Sequence, residues 1–376
     1  METCEVLIIG GGPAGSSCAR RLHDSGLDVI VLDKCTFPRD KVCAGWITPA
    51  VVEQLDIDLE LYRQGRVCQE IQGFRTGAMD GPYIYNDFTH TVSYGIRRYE
   101  FDHYLLSRSG ARLMLNNPVT DIKKHADHWI VNNNIKANML IGAGGHFCPV
   151  ARHLGAKIGK SECSVSAQEL EFKMTDQQQS DCHIIAEIPE LFFYPDMSGY
   201  GWVFRKGQYI NIGVGREDTG KISRDASQFL QFLQQQGKIP AHITNGFKGH
   251  AYLLYDHAQR KIMDDGVLLV GDAAGLAYTE SGEGIKPAIE SGLLAADVII
   301  NAQGYYQQNK LEAYVEKIRQ RFGIRSAKQK SWIPEHLRMG AARFILGNRL
   351  LSRHILLNHY FLRDAVDTPD RLRQQQ

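Results

Sequence analysis

The stretch VLIIGGGPAG at residues 6–15 decides the fold, because an apolar strand runs directly into a glycine-rich turn. Val6–Ile9 is apolar and β-branched, which is typical of a strand buried on both faces of a parallel sheet. Gly10, Gly12 and Gly15 then follow the spacing G-x-G-x-x-G. In this pattern the first glycine allows a tight turn, the second lets the backbone approach a pyrophosphate, and the third lets a helix pack closely on its strand.

The residues after the turn complete a nucleotide-binding unit. Pro13 predicts the start of a helix, since proline is tolerated at the first helical position, and Gly26 predicts its end. Asp28–Leu32 predicts a second strand, and Asp33 stands at its tip, where an acid would hold a ribose hydroxyl. The order of these features favours a dinucleotide diphosphate bound at the helix N-terminus over a glycine turn with a purely structural role.

Composition sets limits on partners and location. The 376 residues carry 43 basic and 42 acidic side chains, and this balance gives no indication of nucleic-acid binding. No apolar run approaches the length of a membrane span, and the first strand begins too early for a leader sequence. The eight cysteines show no C-x-x-C pair, and the histidines show no ligand spacing. We therefore expect reduced thiols, no metal site and a cytoplasmic location.

The nucleotide-binding pattern returns late in the chain. GVLLVGDAAG at 266–275 is again an apolar strand followed by glycine and an acid, and a helix is expected from about 284 to 300. Between the two halves, residues 165–216 alternate like antiparallel strands, including the segment HIIAEI at 183–188. The sequence thus predicts one dinucleotide-binding sheet that the chain revisits after building an antiparallel layer.

The segment GDAAGLAYTESGEGIKPAIESG at 271–292 resembles the second flavin-contacting segment of FAD enzymes with the para-hydroxybenzoate hydroxylase fold. KVCAGW at 41–46, RRYEFD at 97–102 and GYGWVF with INIGVG at 199–215 are similar to the geranylgeranyl reductase family of FAD-dependent oxidoreductases. The resemblance covers roughly residues 1–300. It implies that the bound dinucleotide is FAD.

The resemblance implies an α/β fold with three parts. These are an FAD-binding Rossmann-like domain of the para-hydroxybenzoate hydroxylase type, an inserted antiparallel-sheet substrate domain, and C-terminal helices. The expected ranges are 1–60, 96–160 and 250–304 for the FAD-binding domain, 61–95 and 161–249 for the substrate domain, and 305–376 for the helical region.

The glycine pattern and the resemblance together predict the site residues. FAD contacts are expected at Gly10, Gly12, Ala14, Gly15, Asp33, Cys43, Ala44, Arg98, Val119, Asp272, Gly284 and Ile285. Asp272 would reach the ribityl chain, and the helix that begins at Gly284-Ile285 would point its positive end at the flavin. Tyr200, Trp202 and Phe204 are expected to bind the substrate, with Trp202 and Cys43 as the catalytic candidates. For Cys43 the alternatives are a proton donor or a small residue packed on the flavin ring; for Trp202 and Phe204, a cavity wall or ordinary strand core.

The expected reaction is the reduction of carbon–carbon double bonds of an isoprenoid or similar apolar substrate by hydride transfer from N5 of the reduced flavin. The reductant is left open between NAD(P)H and a ferredoxin-like donor, and two positions depart from the family pattern. Arg205 stands where the family has proline, and Gly144 stands where many relatives have aspartate. Alternative functions are a flavin monooxygenase, a halogenase, for which SWIP at 331–334 is a faint signal, or a flavin redox sensor without turnover.

The C-terminal segment 336–364 alternates basic and apolar side chains. Its arginines, interleaved with Leu, Ile and Phe, are Arg338, Arg343, Arg349, Arg353 and Arg363. This pattern predicts basic amphipathic helices. They would form either a cap on the domain or a peripheral contact with an anionic membrane, which would suit a lipid substrate.

Overall fold

The computed structural model describes residues 1–157, 162, 164–217, 220–325 and 335–362, with backbone only at 335–338. The chain divides into two compact units. The nucleotide unit comprises 1–40, 99–164 and 252–329, and the sheet unit comprises 41–98, 165–251 and 330–376. Relative to the predicted domains, residues 41–60 fall in the sheet unit and 305–329 in the nucleotide unit. The halogenase-like segment 331–334 lies outside the described residues.

The strands are β1 Glu2–Ile9, β2 Val29–Leu32, β3 Trp46–Ile47, β4 Cys68–Ile71, β5 Gly73–Ala78, β6 Tyr83–Asp87, β7 Ser93–Ile96, β8 Arg112–Met114, β9 Ile122–Lys124, β10 Trp129–Val131, β11 Ile135–Gly142, β12 Ser164–Lys173, β13 Glu190–Phe193, β14 Gly199–Lys206, β15 Tyr209–Arg216, β16 Lys248–Leu253, β17 Met263–Asp264 and β18 Val267–Leu269. The α-helices are α1 Pro13–Asp24, α2 Pro49–Gln54, α3 Leu59–Arg63, α4 Arg98–Ser107, α5 Pro149–His153, α6 Asp176–Ser180, α7 Ile222–Gln235, α8 Ile285–Ala302, α9 Gln308–Phe322, α10 Glu335–Leu346 and α11 Arg349–Leu351. Short 3₁₀ turns span Tyr255–His257 and Gly271–Ala273, and a π-helix spans Ser352–Phe361.

The nucleotide unit is built on the predicted parallel sheet. Its strand order is β17-β18-β11-β1-β2-β8, with the β9–β10 hairpin added on β11. The neighbours from β18 to β8 pair in parallel, so their carboxyl ends share one edge of the sheet. Val6–Ile9 and Val29–Leu32 are buried along their whole lengths, as expected for strands covered on both faces.

Two long helices pack against each other beside this sheet. α1 begins at Pro13, as predicted, and Gly26 follows it with a left-handed φ of +82°. α8 begins at Ile285 after the turn that carries Asp272. A Cβ at Gly292 would lie 2.3 Å from the Ala14 carbonyl oxygen, so this contact between α8 and the first turn of α1 requires glycine.

The sheet unit contains a seven-stranded sheet of order β16-β12-β15-β14-β13-β5-β6. β12, β15, β14 and β13 pair antiparallel as predicted, but β13 pairs in parallel with β5, so the sheet is mixed. The predicted strand at 183–188 was wrong, because residues 183–185 have no regular structure and a turn follows them. The side chain of Ile184 enters the apolar core instead, and the His183 N–H donates to the carbonyl of Lys238.

Side chains alternate between the two faces of this sheet. One face is apolar: Ile210, Ile212 and Val214 pack in a core with Phe229 of α7. The opposite face carries the side chains that sequence reasoning linked to substrate, together with a cluster of charged and amide groups. The sheet therefore separates a purely structural face from the candidate site.

Candidate active site

The glycine turn has the geometry that its spacing predicts. Gly10 has a φ of +116°, and a Cβ there would lie 2.4 Å from the carbonyl oxygen of Ala143 at the end of the neighbouring strand. A Cβ at Gly15 would lie 1.9 Å from the Gly10 carbonyl oxygen. These two glycines therefore serve the turn and the close approach of helix to strand, which are roles in folding.

Gly12 differs from the other two glycines because its missing side chain leaves space. Only the Arg39 guanidinium, at 3.5 Å, lies within 4 Å of the position that its Cβ would take among the described residues. Gly12 is also the N-cap of α1 and supplies no side chain to its first amides. An open glycine in front of uncapped helix N–H groups forms a cradle that suits a phosphate.

Arg39 adds a positive charge to this cradle. Its guanidinium pairs with the fully buried Asp102 carboxylate at 3.1 Å and lies over the ring of Phe37 at 4.7 Å. Its second terminal nitrogen is buried and has no hydrogen-bond partner within the part of the chain that is described. A buried N–H group without a partner is costly, and a pyrophosphate oxygen would satisfy it. These residues fit the diphosphate of FAD.

Asp33 stands at the carboxyl end of β2, next to the glycine turn. Its carboxylate accepts the backbone N–H groups of Gly11 at 2.7 Å and Cys35 at 2.8 Å. Each carboxylate oxygen keeps a lone pair for a ribose hydroxyl. The loop that contains Val119 lies next to Asp33, since the Asn117 N–H donates to the Asp33 carbonyl.

The late segment brings its two predicted contacts together. Asp272 lies in the 3₁₀ turn after β18, and its Oδ1 is 3.3 Å from the position of a Cβ at Gly284. Gly284 is the N-cap of α8 and, like Gly12, leaves the first helical N–H groups without a side-chain cap. The acid and the positive end of the helix that begins at Ile285 are thus neighbours in the nucleotide unit.

In the sheet unit, the Cys43-Ala44-Gly45 segment is held at several points. Gly45 has a φ of +63°, and its carbonyl accepts the N–H of Ile96 at 2.7 Å. A Cβ at Gly45 would lie 2.1 Å from the Ile96 carbonyl oxygen and 2.7 Å from the Lys206 ammonium. The Gly45 N–H lies 3.4 Å from the Cys43 thiol sulfur. Arg98, also a predicted flavin contact, is buried at the start of α4.

Asn211 connects this segment to the sheet. Its amide nitrogen lies 3.2 Å from the Cys43 carbonyl oxygen, and its amide oxygen accepts the Trp202 indole N–H at 2.7 Å. Gly213 makes room for Trp202, because a Cβ there would lie 2.2 Å from the indole ring. The two catalytic candidates, Cys43 and Trp202, therefore share one hydrogen-bonding partner.

The predicted substrate residues belong to a larger group of rings, here called the aromatic cluster. Its members, joined by ring centroid distances of 5.0–6.0 Å, are Trp46, Phe74, Phe193, Tyr200, Trp202, Phe204 and Phe361. Trp202 and Phe204 are buried, whereas Tyr200 is partly exposed. Trp46 and Phe361, which sequence reasoning missed, stack on each other at 5.5 Å.

Comparisons with known proteins identify the family of this chain. The sequence profile of the FAD binding domain family matches residues 3–325. Digeranylgeranylglycerophospholipid reductase 3 of Methanosphaera stadtmanae is 30% identical, over 87% of this chain and 85% of its own. The chain belongs to the geranylgeranyl reductase family. It is an FAD-dependent oxidoreductase.

Two further proteins are similar to this chain. Menaquinone reductase of Mycobacterium tuberculosis strain H37Rv is 28% identical, over 79% of this chain and 77% of its own. A geranylgeranyl bacteriochlorophyll reductase-like protein of Thermoplasma acidophilum superposes with a TM-score of 0.72 at 24% identity, covering 92% of this chain and 88% of that one. The superposition confirms the predicted fold class.

A cluster of charged side chains lies on the same sheet face as Asn211, next to the Cys43 segment. Lys206, which is fully buried, donates to Glu171 at 2.9 Å and to the Ile96 carbonyl at 2.8 Å. Arg97 donates to the other Glu171 oxygen at 3.3 Å. These cations hold the pKa of Glu171 below its ordinary value, although burial, the largest influence, acts to raise it.

Sequence reasoning missed Arg39, Asn211 and the charge cluster. Glu169 and Glu171 alternate within a predicted strand, and Lys206 ends another, so three ionisable side chains on apolar strands were the available signal. Arg39 carries no such signal, because its approach to Gly12 depends on how the chain returns after β2. The pairing of Asn211 with Cys43 joins residues 168 positions apart.

The C-terminal segment has exposed apolar side chains beside paired arginines. Phe344 and Leu350 are exposed, while Arg343 and Arg349 pair with Asp80 and Asp87 within the sheet unit. No helix of the described residues is long and apolar enough to span a membrane. Across the described ranges, no group of three His, Cys, Asp or Glu side chains is arranged so that it could hold a metal ion.

Proposed function

We propose that this enzyme reduces carbon–carbon double bonds in an isoprenoid chain of a lipid or quinone. The observation that carries the proposal is the aromatic cluster on the same sheet face as Cys43, joined to it through Trp202 and Asn211. A surface of packed rings offers an isoprenoid chain dispersion contacts and no charge. The relatives named as reductases of digeranylgeranylglycerophospholipid and menaquinone support the same substrate class.

The chain's own residues would divide the work as follows. The Gly12 cradle, Arg39 and Asp33 would hold the adenosine diphosphate half of FAD, and Asp272 with the N-terminus of α8 would hold the ribityl and flavin half. Reduced FAD, when bound, supplies a hydride from N5. Trp202 would pack on the substrate chain and fix the distance of its double bond, and Cys43 is the residue that the family resemblance assigns to the flavin ring. A proton for the second carbon comes from the thiol of Cys43 or from a group that exchanges with it.

The test is the anaerobic reoxidation of the reduced holoenzyme by substrate. The protein is reduced chemically, mixed without oxygen with a lipid that bears geranylgeranyl chains, and followed by flavin absorbance and by mass analysis of the lipid. We expect reoxidation together with a gain of two hydrogens per double bond. Failure of the isoprenoid chains of both the lipid and a quinone to gain hydrogen would refute the proposal, since reduction of the quinone ring alone also reoxidises the flavin. Incorporation of ¹⁸O₂ into an aromatic substrate in air would favour the monooxygenase alternative.

Variants test the assignment of residues. Trp202→Phe keeps a ring but removes the N–H that binds Asn211, and it should slow reoxidation about tenfold, because near-attack geometry is sensitive to small shifts. Trp129→Phe is the matched control: its indole N–H donates to the Gly266 carbonyl in the nucleotide unit, and reoxidation should be unchanged. Cys43→Ser should retain FAD and change the pH profile if the thiol supplies the proton.

We also propose an electron donor class and a membrane contact. NAD(P)H and a ferredoxin-like protein remain the two candidate reductants. Exposed Phe344 and Leu350 support peripheral contact of the C-terminal segment with a membrane. The ion pairs of Arg343 and Arg349 reduce the charge available to anionic lipids. Contact would therefore rest on apolar insertion more than on charge.

A further inference from the structure

Glu169 is a buried carboxyl group that the assigned roles do not use. It lies on β12 facing the Cys43 segment and is only 7% exposed. It accepts the backbone N–H of Cys43, and its Oε2 lies 3.2 Å from the Asn211 amide nitrogen. Asn211 also donates to the Cys43 carbonyl. The backbone N–H of Cys43 is thus bonded to Glu169 and its backbone carbonyl to Asn211.

The hydrogen-bond count around Asn211 points to a proton on this carboxyl group. The Trp202 indole can only donate, so the amide oxygen of Asn211 must face it and the amide nitrogen must face the opposite side. That nitrogen has two hydrogens, yet three oxygens lie 3.2 Å from it: those of Cys43, Glu169 and Glu171. With Glu169 ionised, two carboxylates and a carbonyl compete for two donors. With Glu169 protonated, its O–H becomes the third donor.

The charges around Glu169 act in both directions. Lys206 on β14 and Glu171 on β12 are the charged groups that act on it, and Arg97 pairs with Glu171. Lys206 forms its ion pair with Glu171, whereas Glu169 forms none with any described residue. Burial raises the pKa of Glu169 most, Lys206 lowers it and Glu171 raises it again, with a result of about 7. An unpaired buried carboxyl beside an ionised one is the member of the pair that keeps the proton.

We propose that Glu169 is a proton-bearing positioning residue of the active site, whose protonation state sets the hydrogen bonding of Cys43. While it is neutral, its O–H completes the donor set and the Cys43 segment is fixed. When it ionises, a second negative charge faces Glu171 and competes with the Cys43 carbonyl for the Asn211 amide. The inference rests on the proposed function only in treating Cys43 as part of the site.

The first measurement detects the proton directly in the FAD-loaded protein. Infrared difference spectra between pH 5 and pH 9 should show the band of a protonated carboxylic acid that titrates near pH 7 and is lost in Glu169→Gln. Glu190→Gln is the control, because Glu190 is equally buried on the same sheet but pairs with Arg75 and Lys238. The Glu190→Gln variant should keep the band of the protonated carboxylic acid. The absence of such a band in the wild type, or its survival in Glu169→Gln, would overturn the proposal.

The second measurement tests the link to Cys43. The rate of alkylation of Cys43 by iodoacetamide is read by mass spectrometry of its peptide over the same pH range. We expect an extra inflection near pH 7 in the wild type, with a change of about threefold or more, and none in Glu169→Gln. Alkylation of the partly buried Cys68 serves as an internal control and should be the same in both proteins. Identical profiles of Cys43 would overturn the proposal. Neither measurement requires a substrate, so each is independent of whether isoprenoid lipids are reduced.

Discussion

At the scale of single residues, the three glycines of the opening turn separate folding from binding. Gly15 is needed for packing, since its Cβ would lie 1.9 Å from the Gly10 carbonyl oxygen. Gly12 has a φ of −74°, which any residue adopts, and a Cβ there would meet only Arg39, at 3.5 Å. The same motif therefore contains one position that the fold requires and one that only the ligand requires.

This difference predicts opposite results for two substitutions. Gly12→Val should leave the melting temperature of the apoprotein almost unchanged but weaken FAD binding about 100-fold or more, as expected if two charge-assisted hydrogen bonds to the pyrophosphate are lost. Gly15→Ala should destabilise the apoprotein by about 1–3 kcal/mol through overpacking. Calorimetry of the apoprotein and titration with FAD measure the two effects. Full FAD affinity in Gly12→Val would contradict the cradle.

At the scale of elements, β14 and β15 show how strand register builds the site. Trp202 pairs with Gly213 across the two strands, and the absent side chain of Gly213 is what lets the indole lie flat on the sheet face. The next position on that face is Asn211, which receives the indole N–H. Register and one glycine thus place the aromatic cluster next to the polar groups that hold Cys43.

Gly213→Ala should displace Trp202, because the new Cβ would lie 2.2 Å from the ring. We expect a loss of about 1–3 kcal/mol in the free energy of unfolding, as for other overpacked sites, and a changed tryptophan fluorescence spectrum. Gly246→Ala is the control: nothing lies within 4 Å of its Cβ position, and its φ is not left-handed. Its stability should change little. Equal behaviour of the two variants would show that Trp202 is not held by this contact.

The same elements show what the sequence alone can predict. The parallel sheet, α1 and α8 were correctly predicted, because glycine spacing and apolar runs are local signals. The segment at 183–188 was wrongly predicted as a strand: Ile184 enters a core that the sequence does not reveal, whereas its neighbour Ile185 is exposed. The pairing of Glu171 with Asn211 joins residues 40 positions apart, and only the register of β12 on β15 creates it. Long-range register is what the sequence leaves open.

At the scale of the whole molecule, Glu169 connects site chemistry to folding stability. A carboxyl group with a pKa of about 7 in the folded protein and 4.5 when exposed binds its proton more tightly in the folded state. Its contribution to stability is therefore fully present below pH 4.5 and is lost as pH rises to about 7. The shift corresponds to about 3 kcal/mol. The lowered pKa of Glu171 acts in the opposite direction, since its contribution is lost as pH falls.

Glu169→Gln isolates the first contribution, because glutamine resembles the neutral acid and cannot ionise. Near pH 5 the variant and the wild type should have similar free energies of unfolding. At pH 8 the variant should be more stable by about 2–3 kcal/mol, because the wild type then carries a buried charge that the variant lacks. Urea unfolding of both proteins at a fixed FAD concentration, from pH 5 to pH 8, measures the difference, from which the contribution of Glu171 largely cancels. A difference that stays constant with pH would mean that Glu169 ionises at its ordinary pKa, and that the donor count at Asn211 is satisfied in another way.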